Sequence, residues 1–444
     1  MPNPDRLHAA LKDIVGDSAV IRDPDRLAAY AVDGRAPKAV ASPGSEEEVA
    51  AVVRYANAEG LAVVPRGSGS RMACGGVPRK VDVVMPMLRL DRILDYDRDN
   101  QSLSLEAGAV LADVQRKLAD GGRGNFLPLD PPHTEKATIG GIVATNASGP
   151  KRYQYGTVRD LLLGLRAVSA GGEILSFGGK TMKNVSGYDM TRLLAGSWGS
   201  LGIVTSVTTK LLPLPEASAT VLASFDSLSA AATFLRKLLH SVLLPSAIDL
   251  IGGKAAERLG EEGKYMAALN FEGFAEAVDR QVEDAGAAAR EAGAVSVKPL
   301  RDAEDRDFWA GVRDFALDAG NGSRPHVVLK SNFVISKHAE ILEAYETILR
   351  AAGIDAAFLL RAGNGILYTH LSGEAAGLPE LIGRLTEEAA KREGNLVVES
   401  CPPEIKEKVS VWGRERSDRA VMRRLKEKLD PRGVLNPGRF VGGM

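Results

Sequence analysis

Cysteine is nearly missing: the 444 residues contain two, Cys74 and Cys401. Two thiols cannot make a disulfide framework and suit a reducing compartment. They are also too few for a four-cysteine iron–sulfur cluster. Net charge is close to missing as well, with 56 Lys and Arg against 57 Asp and Glu. That balance removes the electrostatic case for nucleic acid or an anionic membrane surface. No apolar run approaches the roughly 18 residues that span a bilayer, and "LLLGL" is stopped by Arg166. The opening "MPNPDRLHAALKDIVGD" lacks the apolar stretch of a secretory signal. Repeats of solenoid period and low-complexity tracts are absent. A soluble cytoplasmic protein is expected, of two or three domains at this length.

Glycine, by contrast, is abundant. The 47 glycines are about a tenth of the chain, against an average near 7%, and they cluster between residues 67 and 202. Concentrated glycine in an otherwise regular domain suggests a large ligand approached closely by main chain. Around these loops the pattern is mixed α+β. Ser45 and Glu48 form a capping-box pair ahead of Val49, Val52, Val53 and Ala56, an apolar helical stripe ended by Gly60. Strands are expected at 61–65, 81–86, 101–108, 161–170, 173–178 and 201–213, the fourth and fifth joined by Gly171-Gly172. Past the proline-punctuated "LPLPEAS" the rhythm becomes strand–helix. Helices are expected near 227–240, 275–292, 338–352 and 377–392, which implies a second sandwich with helices on one face of its strands. A last helix over 417–429 precedes the turn-rich "DPRGVLNPGRF".

Three glycine loops carry the chemistry. In "PRGSGSRMACGG" the N–H groups of Gly67 to Ser70 can form an anion-binding nest, with the Ser68 and Ser70 hydroxyls as further donors. It is no Rossmann fingerprint, because Pro78 intervenes where a helix would have to open. The second loop, "ATIGGIVATNASGPKRYQYGTVRD", pairs close backbone approach at Gly140-Gly141 with Thr145, Asn146 and Ser148. The third, "GGKTMKNVSGYDMTRLLAGSWGSLGIVT", imitates a P-loop. A Walker A motif needs a glycine where Ile174 stands, so the ATPase reading fails.

In order and spacing, these loops and the terminal "DPRGVLNPGRF" resemble the PCMH-type FAD-binding domain of the vanillyl-alcohol oxidase superfamily, in particular its glycolate oxidase/D-lactate dehydrogenase branch. The likeness is close over 40–215 and loose elsewhere. It implies an FAD domain at 1–217, an α/β cap domain at 218–410, and a segment at 411–444 that returns to the FAD domain. Arg66, Gly67, Ser68, Gly69 and Ser70 would hold the pyrophosphate. Thr138, Ile139, Gly140, Gly141, Ala144, Thr145 and Gly149 would line the isoalloxazine and ribityl side. Tyr155, Gly156, Gly202, Ile203 and Val204 would flank the cofactor through main chain. Covalent relatives place a histidine in the first loop, where Ser70 stands here, so noncovalent FAD is implied.

The hairpin "RAGNGILYTH" departs from the family. Catalytic relatives read His-x-Gly-Asp-Gly-Asn-x-His there, two histidines able to ligate a divalent metal. This chain has Arg361 and Tyr368 at those two positions, Asn364 for Asp and Ile366 for Asn. In the later turn "VVESCPPEIK", Glu399 remains and no histidine follows. No metal is expected. Arg361 could bind a substrate carboxylate bidentately or be a surface ion-pair partner, Lys330 lies where relatives place a basic substrate contact, and His370 reads as an ordinary cap residue. The hairpin and "CPPEIKEKVSVWG" resemble the FAD-binding subunit of the multi-subunit glycolate oxidase. That likeness implies as partners a metal-bearing flavoprotein paralogue and an iron–sulfur subunit, a small 2-hydroxy acid as substrate, and a cytoplasmic location, peripheral at the inner membrane only through partners. A self-sufficient dehydrogenase using Arg361 and Lys330, or a structural paralogue without activity, are the alternatives.

Overall fold

The computed structural model describes residues 4–119, 124–180, 187–317 and 325–444. Part of the third glycine loop, 181–186, lies outside them. The chain divides into two compact units. The first takes Met1–Ser148, Gly156–Leu214 and Glu415–Met444; the second takes Gly149–Tyr155 and Pro215–Arg414. Residues 149–155, expected with 1–217, fall in the second unit. The reason is packing. Lys151 Nζ lies 2.6 Å from Glu272 Oε1, the Tyr155 hydroxyl donates to Glu272 Oε2 at 3.0 Å, and the Tyr153 ring packs so tightly on Gly363 that a Cβ there would stand 2.3 Å from it.

The first unit is built on two sheets. In the four-stranded one, Ala39–Ala41 and Val63–Arg66 run parallel to Val83–Pro86 on either side of it, with Val20–Ile21 antiparallel at the edge. The helix Glu46–Glu59 starts as its sequence dictates: Ser45 Oγ accepts from the Glu48 N–H at 3.2 Å, and Gly60 closes it in the left-handed conformation, φ 65°. Its apolar stripe, Val49, Val52, Val53 and Ala56, is fully buried in one core with Val63, Val83 and Leu435. The second sheet is antiparallel, in the order Ile93–Asp97, Ser102–Glu106, Ile203–Lys210, Leu162–Val168, Ile174–Gly178. Glu46 ties the helix to this sheet by accepting from Arg166, at 2.6 Å from Nη2, and from Thr205.

The C-terminal segment completes the first sheet. The Val63 N–H donates to Val434 O at 2.8 Å and the Asn436 N–H to Val63 O at 2.9 Å, so Leu435 lies parallel to Val63 as an added strand residue. Buried Lys426, on the helix Arg419–Leu429, fastens the return. Its ammonium donates to Ser200 O and Leu435 O, both at 2.8 Å, and to Asp430 Oδ2 at 2.5 Å.

The second unit is one eight-stranded antiparallel sheet. Its order is Ser296–Arg301, Ala217–Phe225, Tyr265–Gly273, Ala247–Gly253, Ala357–Arg361, Ile366–Ser372, His326–Asn332, Asn395–Ser400. Helices Leu228–Leu239, Ala275–Glu291, His338–Ala351 and Leu378–Lys391 bury one face, as expected from the sequence. The other face is not bare. The helix Asp302–Phe315, unforeseen, packs Phe308, Trp309, Val312 and Phe315 against it. Beneath that helix, Asp305 accepts from Ser218 and Thr220, and the Trp309 indole donates to Thr220 Oγ1 at 2.6 Å.

Candidate functional site

Strand Val63–Arg66 delivers the chain into the first glycine loop at the mouth of a cleft lined by backbone of that loop and of the helix Ile139–Thr145. Among the described residues, the N–H groups of Gly67, Ser68, Gly69 and Ser70 donate to no protein acceptor, although Gly69 O accepts from Met72 N at 3.1 Å. Backbone donors are seldom left idle. Four in succession, with Gly69 at φ 93°, form a nest for an anion. Gly67 is pressed on Thr138, where an added Cβ would lie 2.1 Å from Oγ1, and Gly140 on Ala107, where one would lie 2.7 Å from its Cβ. Thr138 caps the short helix Ile139–Thr145 by accepting from Gly141 N at 3.3 Å. Glycine at 67 and 140 is thus a condition for bringing the loop, the helix and the strand Ser102–Glu106 together around the cleft.

Of the residues expected to hold a cofactor, Arg66, Gly67, Ser68, Gly69, Ser70, Thr138, Gly140, Gly141, Ala144, Thr145, Gly202, Ile203 and Val204 line this cleft. Four do not. Ile139 faces the core beside the second sheet, 1% exposed. Gly149 and Tyr155 belong to the second unit. Gly156, at φ 76°, turns the chain where a Cβ would meet the Asp160 carboxylate at 2.8 Å. That carboxylate accepts from the Thr157 N–H, which is the main reason its pKa lies below the usual range. Arg66 reaches the lining with its guanidinium already engaged, donating to Ala29 O at 3.1 Å and stacked 4.8 Å from the Tyr30 ring centroid.

Sequence reasoning missed Met72, Pro131, Pro132, Trp198, Asn436 and Arg439, all in the wall. Buried Arg439 donates to Met72 O at 2.9 Å and to Cys74 O at 2.6 Å, fixing the turn that follows the nest. Trp198 and Asn436 adopt left-handed backbone, φ 58° and 48°, and so do His133 and Asn146 beside lining residues. Strained conformations of this kind gather at ligand sites. Residue type does not announce Trp198, because tryptophan is seldom left-handed, whereas Asn and His adopt that conformation more readily.

In the second unit, the hairpin residue Arg361 is not placed to meet a substrate carboxylate. It is 2% exposed and ion-paired with equally buried Asp249, its register partner on the neighbouring strand, and it donates to Val312 O at 3.3 Å. The guanidinium, expected to meet a substrate carboxylate or a surface ion-pair partner, is instead sealed under the helix Asp302–Phe315. Lys330 is half-buried, 3.4 Å from Glu399 Oε1 and 5.8 Å from the Tyr368 ring. His370 Nδ1 lies 3.2 Å from His326 Nε2, and its ring stacks 4.3 Å from Phe315. Burial above all, with His326 and Arg258 adding to it, holds His370 neutral, well below the usual histidine range. Gly365, at φ 62°, makes the turn where a Cβ would collide with Phe333 O. Among the described residues, no group of three or more His, Cys, Asp or Glu is placed to ligate a metal.

A cleft walled by unpartnered backbone donors and close-packed glycines, on a two-sheet α+β unit, defines a cofactor-binding protein whose ligand carries phosphate. The chain belongs to the FAD-linked oxidases: residues 37–178 match the FAD binding domain and residues 214–440 the C-terminal domain of FAD linked oxidases. It is 29% identical over 419 residues to glycolate oxidase subunit GlcD of Bacillus subtilis (strain 168), spanning 91% of this chain and 89% of that protein. It is 30% identical over 419 residues to D-lactate dehydrogenase of Archaeoglobus fulgidus, spanning 90% and 91%. Alkyldihydroxyacetonephosphate synthase shares the fold, with a TM-score of 0.74 at 20% identity over 99% of this chain and 86% of that one. The protein is accordingly an FAD-linked oxidoreductase, and the cleft fits its cofactor. The Gly67–Ser70 donors suit the pyrophosphate, while Met72, Pro131 and Trp198 offer apolar wall. No helix among the described residues is long and apolar enough to cross a membrane.

Proposed function

We propose that this chain is the FAD-binding subunit of a complex that oxidises a small 2-hydroxy acid of the glycolate or D-lactate kind. FAD, when bound, supplies the two-electron redox capacity that no side chain provides. The Gly67–Ser70 N–H groups would fix its phosphates, and Thr138, Gly140 and Gly141 would let backbone approach it. The cofactor is held without a covalent bond: among the described residues, the lining contains no His, Cys or Tyr to form one.

The observation that carries the subunit reading is the Arg361–Asp249 pair. Relatives of this branch act on hydroxy acids, yet here the hairpin's charge is spent inside the sheet. Positions 361 and 368 offer a guanidinium and a phenol, neither a ligand for a resident divalent metal at neutral pH. Substrate chemistry is therefore assigned to a partner, a metal-bearing flavoprotein paralogue, with an iron–sulfur subunit as onward acceptor. That the Bacillus subtilis relative is itself named as a subunit supports this. The complex would be cytoplasmic, reaching the inner membrane only through its partners. Lys330, half-buried beside Glu399, favours the second reading, a self-sufficient dehydrogenase in which this ammonium meets the substrate carboxylate.

Acid precipitation of the purified protein is expected to leave all flavin in the supernatant. The isolated chain is expected to turn over neither glycolate nor D-lactate with an artificial acceptor, and to gain activity when co-purified with the paralogue. Full turnover by the isolated chain, lost in Lys330→Met, would establish the self-sufficient reading instead.

A further inference from the structure

We infer that Asn436 is a cofactor-binding residue whose side-chain oxygen accepts a hydrogen bond from an N–H or O–H group of FAD. The inference rests on the flavin reading of the cleft. Asn436 stands in the cleft wall, with its backbone held to the sheet by the bond from its N–H to Val63 O. It is 5% exposed and left-handed, φ 48°. Its Nδ2 donates to Trp198 O at 2.6 Å. A backbone carbonyl only accepts, so the amide cannot be turned over: Nδ2 must face Trp198 and Oδ1 must face away. Oδ1 is buried and has no partner among the described residues. An acceptor left dry and unpaired is costly, and here that cost coincides with a strained backbone at a ligand cleft.

The chemistry narrows what can satisfy it. Among the described lining residues, no other buried side-chain acceptor lacks a partner. FAD phosphates carry no proton to give it at neutral pH. The donors FAD does offer are the isoalloxazine N3–H, the adenine amino group and the ribityl and ribose hydroxyls. The wall thus divides its work, with the Gly67–Ser70 N–H groups meeting the phosphates and Asn436 meeting a proton-bearing group of one half of the molecule.

Deflavinated protein titrated with FAD, followed by quenching of flavin fluorescence, tests this. Asn436→Gly keeps the left-handed backbone without strain and removes the acceptor. Its FAD dissociation constant is expected to rise roughly ten-fold, the worth of one buried hydrogen bond. Asn436→Asp retains an oxygen for the cleft but loses the bond to Trp198, and is expected to stay within about three-fold of wild type. Competition by FMN and by ADP assigns the half: a contact to isoalloxazine or ribityl weakens FMN alone, and a contact to the adenosine weakens ADP alone. The inference is overturned if Asn436→Gly leaves the constant unchanged, if both halves weaken equally, or if Asn436→Asp loses as much as Asn436→Gly, which would mean the residue acts only through Trp198. Should the glycine variant not fold, the aspartate variant decides alone: a constant within about three-fold of wild type supports the inference, and a rise of roughly ten-fold or more overturns it. Wild type that binds no FAD at all would overturn the flavin reading itself.

Discussion

A guanidinium 2% exposed has a different job from one on a surface, and Arg361 illustrates how a residue can be noticed yet misjudged. Its charge and its place in an altered hairpin were legible in "RAGNGILYTH". Its partner was not, since Asp249 lies 112 residues away and meets it only through strand register. Glycine loops read better, because what they contribute is backbone, and Gly67, Gly69 and Gly140 announce that by type alone. Removing one member of a buried ion pair strands the other. Arg361→Ala is therefore expected to destabilise the second unit by about 3–5 kcal/mol, lowering its melting temperature by roughly 10 °C. Pairing it with Asp249→Leu should recover much of the loss. Calorimetry of both variants checks this, and a single variant as stable as wild type would mark Arg361 as unpaired in solution.

Elements were legible where one signal sufficed. The helix Glu46–Glu59 declares its cap, stripe and stop. The helix Asp302–Phe315 does not: its first turns are acidic and basic, its apolar residues begin only at Phe308, and Arg301 before it provides no side-chain cap. It forms because the open sheet face needs cover and because Asp305 finds Ser218 and Thr220 beneath it. The C-terminal helix makes its own case through Lys426. Its ammonium satisfies two carbonyls and Asp430, which in turn accepts from Val434 N and Leu435 N at 2.9 and 2.8 Å. Lys426→Met would leave Asp430 buried without its counter-charge and release the segment that carries Asn436 and Arg439. Amide exchange over residues 430–440 is expected to speed up by at least ten-fold, roughly the 1.5–3 kcal/mol of a charged hydrogen bond, and FAD to dissociate faster. Exchange equal to wild type would show the segment to be held without Lys426.

For the molecule as a whole, acid sensitivity follows from Asp82, 1% exposed between Lys38 at 2.7 Å and Lys80 at 2.8 Å. Burial alone would raise its pKa, but the Ala62 N–H and the two ammonium groups outweigh it and hold the carboxyl below the usual range. A carboxyl depressed in the folded state adds stability that is complete above its unfolded value, near 3.9, and is lost as pH falls through the lower folded value. Stability of the first unit should thus decline below about pH 4, and Asp82→Asn should lower neutral stability while flattening that decline. Denaturant melts at pH 7 and pH 3 measure both, and parallel curves for variant and wild type would discount the carboxylate.

The order in which the polypeptide is made gives the returning C-terminal segment another significance. Arg439 grips the carbonyl of Met72 from 367 residues downstream. While the nascent chain is still on the ribosome, the nest at Gly67–Ser70 has already emerged but one side of its cleft has not. That side of the cleft is therefore completed only once translation has passed residue 439.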